Sequence, residues 1–484
     1  MSELKDITLT ESQQRVLNSI VAFLGSDDRI FVLKGYAGTG KTTLMRFLIQ
    51  HLHEQERGYH LLASTGRAST ILNAATGAVS AQTIHSLIYK YSDFNQDLSD
   101  VSEAKADVHG QLYLVFEPCK ADVRDKNQVY IIDEASMVSD TEVRNITQAA
   151  FGSGRLLKEL LEYDSDPSAK FIFVGDPCQL PPIEQTFSPA LSPDYMRATF
   201  ACGVQEGVLT EIVRQGGGNT IISTSQRIRQ LYSNAPENDA GYRFRVWGRL
   251  PIASNANIQL HPNSADFMNH YLQAIREHGY GYATYLCRGN AACYKTSCEI
   301  RRQLGLFGRV AVNDLLLVIQ NNGALGLYNG DLVVVSEVTQ HVESRAGLLF
   351  RIVKVTDLDG ENERATFLIE DVLHSGKLNL DNEQQKALFV DFVVRMSSKG
   401  INPKQNKQLF DKAMMTDPYL NALRCTFGYA ITCHKSQGGE WPEVFVNMPR
   451  NIMLNPVKSS YQWVYTAITR AKERLHIIND IYLQ

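Results

Sequence analysis

The chain is short of every feature that marks a membrane or secreted protein. No apolar run approaches the roughly 20 residues a bilayer-spanning helix needs. The opening Met1-Ser2-Glu3-Leu4-Lys5-Asp6 is polar, so no signal peptide is expected. Eight cysteines are scattered along the chain with no paired C-x-x-C. Cys287, Cys293 and Cys298 lie closest, but at spacings wider than most zinc knuckles use and with no fourth ligand beside them. They are read as ordinary thiols of a reducing, cytoplasmic compartment. Excess positive charge is also missing. Lys and Arg number 48 against 52 Asp and Glu, a net charge of −4, so any basic track for nucleic acid must be local. What remains is 484 residues, 44% hydrophobic and 21% charged. That is the composition of a globular protein with room for about three domains.

One stretch organises the rest. Gly35-Tyr36-Ala37-Gly38-Thr39-Gly40-Lys41-Thr42-Thr43 follows the apolar run Ile30-Phe31-Val32-Leu33. It precedes a segment in which Leu44, Phe47, Leu48 and Leu52 recur at helical spacing. Strand, glycine-rich loop and helix in that order form the context of a phosphate-binding loop. Gly35, Gly38 and Gly40 let the backbone close around phosphates, and the amides and helix N-terminus present positive partial charge. Lys41 is expected on the β- and γ-phosphates and Thr42 on Mg²⁺. Upstream, Thr10 caps an expected helix through Val16, Leu17, Ile20 and Leu24, with Gln13 in its first turn. The Gln13 amide carries a donor and an acceptor, which suits adenine.

Val129-Tyr130-Ile131-Ile132-Asp133-Glu134 reads as a buried strand of a parallel sheet that ends in two carboxylates. Acidic groups at that end face the ligand crevice. Asp133 is assigned to Mg²⁺, and Glu134 to orienting and deprotonating the attacking water. A second strand, Lys170 to Val174, runs into Gly175-Asp176-Pro177-Cys178-Gln179, where Gln179 is placed to touch the γ-phosphate. Thr65, Arg67, Thr83 and His85 sit on loops after short strands. Two readings stand open for them: turn and capping chemistry, or contacts to phosphates and bases of a single strand. Residues 88–128 interrupt the alternation and read as an insertion, with Leu112 to Phe116 as one arm of a hairpin.

A lobe boundary is expected around 200–207, after which Arg214 precedes a Gly216-Gly217-Gly218 break. The second lobe reads as a helix near 219–232, a strand at Ala283 to Cys287 and a helix near 291–304. Short strands over 332–369 then suggest an inserted barrel or sheet. Asp381 with Gln384 forms an expected capping box for a further helix, and another follows Pro403. The lobe resumes with a strand at Thr426 to Ile431, a strand at Val444 to Val446, a helix near 459–470 and a last strand at Leu475 to Ile478. Two α/β lobes, one carrying a strand-plus-helix insertion, account for the chain.

Gln13, the phosphate loop, Asp133-Glu134, Gly175-Asp176-x-x-Gln179, Arg214, Thr432-Cys433-His434-Lys435-Ser436-Gln437-Gly438-Gly439-Glu440 and Tyr465-Thr466-Ala467-Ile468-Thr469-Arg470 occur in one order. As a set they resemble the superfamily 1 helicases, in particular the RecD/Dda group. Gly439-Glu440-Trp441 is closer to the RecD pattern than to the Dda one. The resemblance implies two RecA-like parallel-sheet cores with ATP and Mg²⁺ between them, at 1–87 with 129–205 and at 206–330 with 425–484. It implies a β-hairpin pin at 88–128, with Phe94 as a guess for its tip, and an SH3-like β barrel with a helical tower at 331–424. It further implies that Arg214 and Arg470 reach the γ-phosphate, that Gly438 and Glu440 border the nucleotide, and that Glu440 meets the ribose. Thr65, Thr83, His85, Thr432 and His434 match strand-contacting positions. The implied activity is ATP-driven 5′→3′ unwinding by a monomer acting on single-stranded and forked duplex DNA. A single-strand-binding protein is a further implied partner, and the implied location is the cytoplasm, a host's if the gene is a phage's. A translocase that strips proteins without unwinding, an RNA motor and a nucleotide-gated subunit of a recombination complex are the competing readings.

Overall fold

A computed structural model describes residues 8–76, 81–95, 113–142, 149–213 and 219–484. The first lobe is built on a six-stranded parallel sheet. Its order is Gln82–Thr83, Tyr59–Ala63, Val129–Asp133, Lys170–Gly175, Ile30–Gly35 and Val204–Leu209. The continuous apolar strands follow from cover on both faces. Phe31, Leu33, Ile131 and Ile172 pack against helices Glu11–Leu24 and Lys41–Glu54. Ile30, Val32, Tyr130 and Phe173 turn the other way, onto helices Leu156–Tyr163 and Pro193–Phe200. Each such side chain contributes about 1.5–3 kcal/mol by leaving water.

The second lobe repeats the plan with five parallel strands, ordered Ile258–His261, Ala471–Ile478, Trp441–Val446, Ala283–Cys287 and Ala430–Thr432. An antiparallel sheet interrupts it, ordered Arg364–Ile369, Leu348–Thr356, Leu332–Arg345, Leu315–Val318 and Cys425–Phe427. Helices Asn382–Ser398 and Lys407–Thr416 follow that sheet's fourth strand in the chain and share a core with the sheet through Phe350, Phe389, Phe392 and Phe410. The expected capping box forms: Asp381 accepts from the Gln384 amide and Gln384 from the Asp381 amide. No helix among the described residues is long and apolar enough to cross a membrane.

Three boundaries differ from expectation. The first sheet extends to Leu209, because Val204–Leu209 pairs with Ile30–Gly35 as an edge strand. Its Gln205, Glu206 and Gly207 hide a strand from a search for apolar runs. The antiparallel sheet runs from Leu315 to Phe427, wider than 331–424. Finally, the single strand expected over 426–431 is two strands in two sheets. The crossing lies at Gly428, whose amide donates to the Leu315 carbonyl at 2.8 Å. A Cβ at Gly428 would stand 2.7 Å from Leu332 Cδ2 and 3.1 Å from the Leu316 backbone, so only glycine lets the chain change sheets there.

Within 88–128, Tyr89–Phe94 and Leu114–Pro118 pair antiparallel as two hairpin arms, and Ala149–Phe151 adds to the second. Residues 96–112 between the arms lie outside the described residues. Phe94 does not stand free as a tip. It is buried, with its ring 5.1 Å from Phe389 and 6.5 Å from Phe410 of the helical insertion.

Candidate nucleotide and nucleic-acid site

The phosphate loop occupies the C-terminal end of the central strand Ile30–Gly35. Gly38 and Gly40 adopt φ of 79° and 77°, the left-handed region that lets the loop turn its amides inward. A Cβ on Gly40 would meet Gln13 Nε2 at 2.3 Å. Gln13 is buried, donates to the Thr39 carbonyl at 3.1 Å and accepts from the Thr10 amide at 3.0 Å. Its amide thus holds helix and loop together. Lys41 Nζ donates to the carbonyls of Gly35 at 2.8 Å and Tyr36 at 3.3 Å. Thr42 is exposed in the first turn of the helix, with Thr43 half-buried beside it.

Asp133 ends strand Val129–Asp133, which lies one strand beyond Lys170–Gly175 from the phosphate-loop strand. Burial pushes its carboxyl up to about 7, Glu134 adds to the rise, and a Glu134 backbone hydrogen bond and Lys41 hold it back. Glu134 has φ 49°, a conformation that costs a non-glycine residue on the order of 1–3 kcal/mol and concentrates at functional sites. Asp176 is fully buried, and burial raises its pKa against the charges of Lys41 and Arg470 and a hydrogen bond from Tyr465. Buried Ser136 Oγ, Gln179 Oε1 and Gln437 Oε1 have no hydrogen-bond partner. A hydroxyl, a carboxylate pair, two cations and orphaned polar atoms make a donor set that fits a triphosphate with Mg²⁺.

The second lobe closes over this loop through helix Lys458–Ile468. Tyr465 Oη donates to Asp176 Oδ2 at 2.7 Å and accepts from the Ala37 amide at 3.1 Å. Gln462 donates to the Gln179 carbonyl at 3.1 Å, and Thr466 Oγ1 accepts from the Leu180 amide at 3.0 Å. Gln437 donates to the Leu180 carbonyl at 3.1 Å. Gly438, at φ 77°, faces the first lobe: a Cβ there would lie 3.3 Å from the Ala68 Cβ and 3.9 Å from Glu134 Cγ. Arg470 is buried in the same interface, where it donates to the carbonyls of Thr466 and Gly439, both at 3.1 Å. Glu440 is exposed. Arg214 lies outside the described residues. The preceding Val213 amide donates to the Gly38 carbonyl at 2.9 Å, which ties that part of the chain to the phosphate loop.

The six residues expected on the nucleic acid follow or end strands at the C-terminal edges of the two parallel sheets. Thr65, Thr83 and Thr432 each accept a backbone amide three residues on, from Ala68, Ser86 and Lys435. Capping is therefore formed at all three, and the Thr83 hydroxyl also donates to Ser86 Oγ at 3.1 Å. His85 packs 5.2 Å from the Phe151 ring, and burial pulls its pKa down against Glu159. Burial likewise lowers His434. Arg67 is drawn into the lobe interface: it donates to the Gly330 carbonyl at 3.2 Å and lies over the Trp441 ring at 4.9 Å.

Two interface groups escaped sequence reasoning. Arg229, on helix Thr220–Asn234, lies 3.8 Å over the Tyr36 ring of the phosphate loop. No spacing in the sequence singles it out. Tyr465 and Gln462 sit in or beside a segment singled out for Arg470; helical periodicity from Arg470 points to Thr466 and Gln462, whereas Tyr465, five residues away, falls on another side of the helix.

Residues 8–235 match the AAA domain family, and residues 427–478 match the UvrD-like helicase C-terminal domain, together over half of the chain. The chain is 22% identical to the uncharacterized protein R530 of Acanthamoeba polyphaga mimivirus, over 96% of this chain and 98% of that one. It is 24% identical to the ATP-dependent RecD2 DNA helicase of Deinococcus radiodurans, over 96% of this chain and 48% of that one. With the ATP-dependent DNA helicase dda of Enterobacteria phage T4 it shares 27% identity, over 45% of this chain and 42% of that one. The chain therefore spans nearly all of the mimivirus relative and about half or less of the two helicases. Among solved structures, Pif1 helicase from Bacteroides in complex with ADP-AlF3 and ssDNA is 18% identical with a TM-score of 0.49, over 99% of this chain and 94% of that one. The two domain matches fall on the two lobes whose motifs meet at the phosphate loop: an AAA domain in the first and a UvrD-like helicase C-terminal domain in the second, a pairing that makes the chain similar to superfamily 1 helicases of the RecD/Dda-like group.

Proposed function

We propose that this chain is an ATP-dependent DNA helicase that moves 5′→3′ on single-stranded DNA and separates duplex at a fork. The observation that carries the reading is the bridge made by Tyr465, a second-lobe side chain hydrogen-bonded at once to the phosphate loop and to Asp176. A ligand bound at Lys41 and Thr42 would contact a loop that the other lobe already holds. Its binding and loss therefore shift the equilibrium between closed and open lobes. If the lobes grip a strand through different residues, Thr65, Thr83 and His85 on one and Thr432 and His434 on the other, each closure advances one grip.

For the chemistry, Lys41 and Thr42 would hold the triphosphate with Mg²⁺, shared with Asp133. When bound, the ion would supply neutralisation of phosphate charge. Glu134 is the group that orients the water and takes its proton. Gln179 senses the γ-phosphate. Arg470, delivered from the second lobe, neutralises charge that develops during transfer, a contribution of about 10³–10⁵ in rate for an arginine so placed; Arg214 is the second candidate. Gly438 and Glu440 border the nucleotide, and Gln13 reads adenine through the loop it braces. The lobes are RecA-like cores, 88–128 is a strand-splitting pin, and the inserted sheet and helices are an SH3-like barrel with a tower. The working unit is a cytoplasmic monomer.

The test is a fluorescent forked duplex with a 5′ or a 3′ tail, each with ATP present or omitted. Unwinding with the 5′ tail and ATP alone is the expected result. Strand separation from the 3′ tail reverses the polarity. ATP hydrolysis without strand separation leaves a translocase, and strand binding without turnover leaves a nucleotide-gated subunit.

A further inference from the structure

The nucleotide reading leaves a cluster of second-lobe side chains unused, where strand Ile258–His261 turns into helix Ser264–His278. His261 ends the strand. Asn263 caps the helix by accepting from the amides of Ala265 and Asp266. That cap sets Asp266 in the first turn and His270 one turn further, on the same face. His261 is fully buried, whereas Asp266 and His270 are each more than a third exposed, so solvent reaches the cluster from one side.

The contacts run in series. Asp266 Oδ2 is 2.7 Å from His261 Nδ1. His261 Nε2 is 2.9 Å from His476 Nδ1. His476 Nε2 is 3.2 Å from Glu443 Oε2. Each of these three junctions needs one hydrogen, and two neutral imidazoles carry two. As they stand, one junction is left facing lone pair to lone pair, and His476 Nε2 is indeed without a well-aligned partner.

A cation at the Asp266 end removes the deficit. It takes the place of the hydrogen between Asp266 and His261 Nδ1. His261 Nε2–H then donates to His476 Nδ1, and His476 Nε2–H donates to Glu443. A metal-bound histidine that passes its other N–H to a buried acceptor is the ordinary supporting arrangement of such sites. A third ligand is at hand. His270 Nδ1 lies 2.9 Å from the Asp266 carbonyl and donates to it, which leaves Nε2 as an acceptor; it now takes the Gln259 Nε2 amide at 3.3 Å, a contact an ion would displace. One ligand atom from each of His261, Asp266 and His270 lies within 4.8 Å of the others. Ligand bonds of about 2.0–2.2 Å would draw them closer, which the exposed His270 ring allows by rotation.

We propose that His261, Asp266 and His270 form a binding site for one divalent transition-metal ion of the zinc class, with His476 and Glu443 as its supporting hydrogen-bond chain. Two imidazoles and one carboxylate favour such an ion over Mg²⁺ or Ca²⁺, which take oxygen ligands. With three protein ligands, a fourth position is left for water.

The full-length protein, fully reduced and free of chelator, is titrated with Co²⁺ while the visible absorption is followed. The expected result is saturation at one ion per chain, with d–d bands and no thiolate charge-transfer band, and displacement by Zn²⁺. The double variant Asp266→Asn, His270→Ala changes only partly exposed groups, and its metal-free melting curve reports its folding. It is expected to bind Co²⁺ more weakly by at least about 10–100-fold, the range that changes merely supporting a ligand already cost. Glu443→Gln, which keeps all three ligands, is expected to weaken binding within that same range. Unchanged binding in the double variant, a thiolate band that assigns the ion to cysteines, or no saturation near one equivalent overturns the proposal. None of these readouts requires nucleotide or DNA, so the helicase reading stands or falls separately.

Discussion

Tyr465→Phe removes one oxygen from the interface and leaves the ring in its core. That oxygen donates to the Asp176 carboxylate and accepts from the Ala37 amide. Both partners belong to the first lobe, and Asp176 is fully buried. A hydrogen bond to a charged group contributes about 1.5–3 kcal/mol, and stranding a buried partner costs a similar amount. A loss of about 2 kcal/mol from the closed arrangement lowers its population relative to the open one by roughly 30-fold. If hydrolysis requires closure, DNA-stimulated turnover of ATP falls by up to that factor. Steady-state ATPase with and without single-stranded DNA measures it, beside a urea unfolding curve. A purely structural contact would shift the unfolding midpoint and leave turnover at low temperature within twofold of wild type. That outcome would refute the coupling argument.

Lys41→Ala is expected to abolish DNA-stimulated ATPase while far-UV circular dichroism stays unchanged, since Lys41 touches only loop carbonyls; retained turnover would move the phosphate site elsewhere. Glu134→Gln is expected to bind ATP and release no phosphate, which equilibrium binding combined with product counting decides. Phe392→Ala empties the core of the helical insertion and is expected to cost about 3–5 kcal/mol, read from the shift of the urea midpoint. For pH, burial holds His60, His85 and His434 below their ordinary 6.5. The unfolded chain then binds protons that the folded chain refuses, so stability is full above 6.5 and falls as pH drops toward the folded values. Urea midpoints measured from about pH 7 down to about pH 5.5 should decline, and a flat profile would contradict the assigned burial.

Long apolar strands and the phosphate loop were legible because local sequence and tertiary context agree there. Ile30 to Leu33, Val129 to Asp133 and Lys170 to Gly175 are central strands covered on both faces, and apolar composition alone marks them. The edge strand Val204–Leu209 was not legible, since one of its sides needs no apolar residue. The crossing at Gly428 was hidden for a different reason. Residues 425–432 are continuous in β propensity, and only the approach of Leu316 and Leu332 from elsewhere in the chain splits them. Motif residues were found one by one, but their mutual contacts were not. Which side chain of helix Lys458–Ile468 meets the phosphate loop depends on how the lobes meet, and no local pattern encodes that. Phe94 illustrates the same limit, as its partners Phe389 and Phe410 lie about 300 residues on in the chain.

Lys41 and Arg470 bring one cation from each lobe to this interface, and among the described residues neither forms an ion pair. Lys41 is held by two phosphate-loop carbonyls, and Arg470 by the carbonyls of Thr466 and Gly439. Contrast Arg301, a buried guanidinium of the same lobe, which is paired with Asp314 at 2.7 Å. Taking a charge out of water without an opposite charge is costly, and proteins ordinarily avoid it. Carbonyl dipoles offset part of that cost and leave the positive charge in place. Asp176 feels both cations and Asp133 feels Lys41, yet the hydrogen bonds of Asp176 go to Tyr465 and the Cys178 amide. Two cations supplied by different lobes and, among the described residues, without a direct ion pair amount to an interface that an anion between them would stabilise. A phosphate chain is the anion that the loop beside them is shaped to hold.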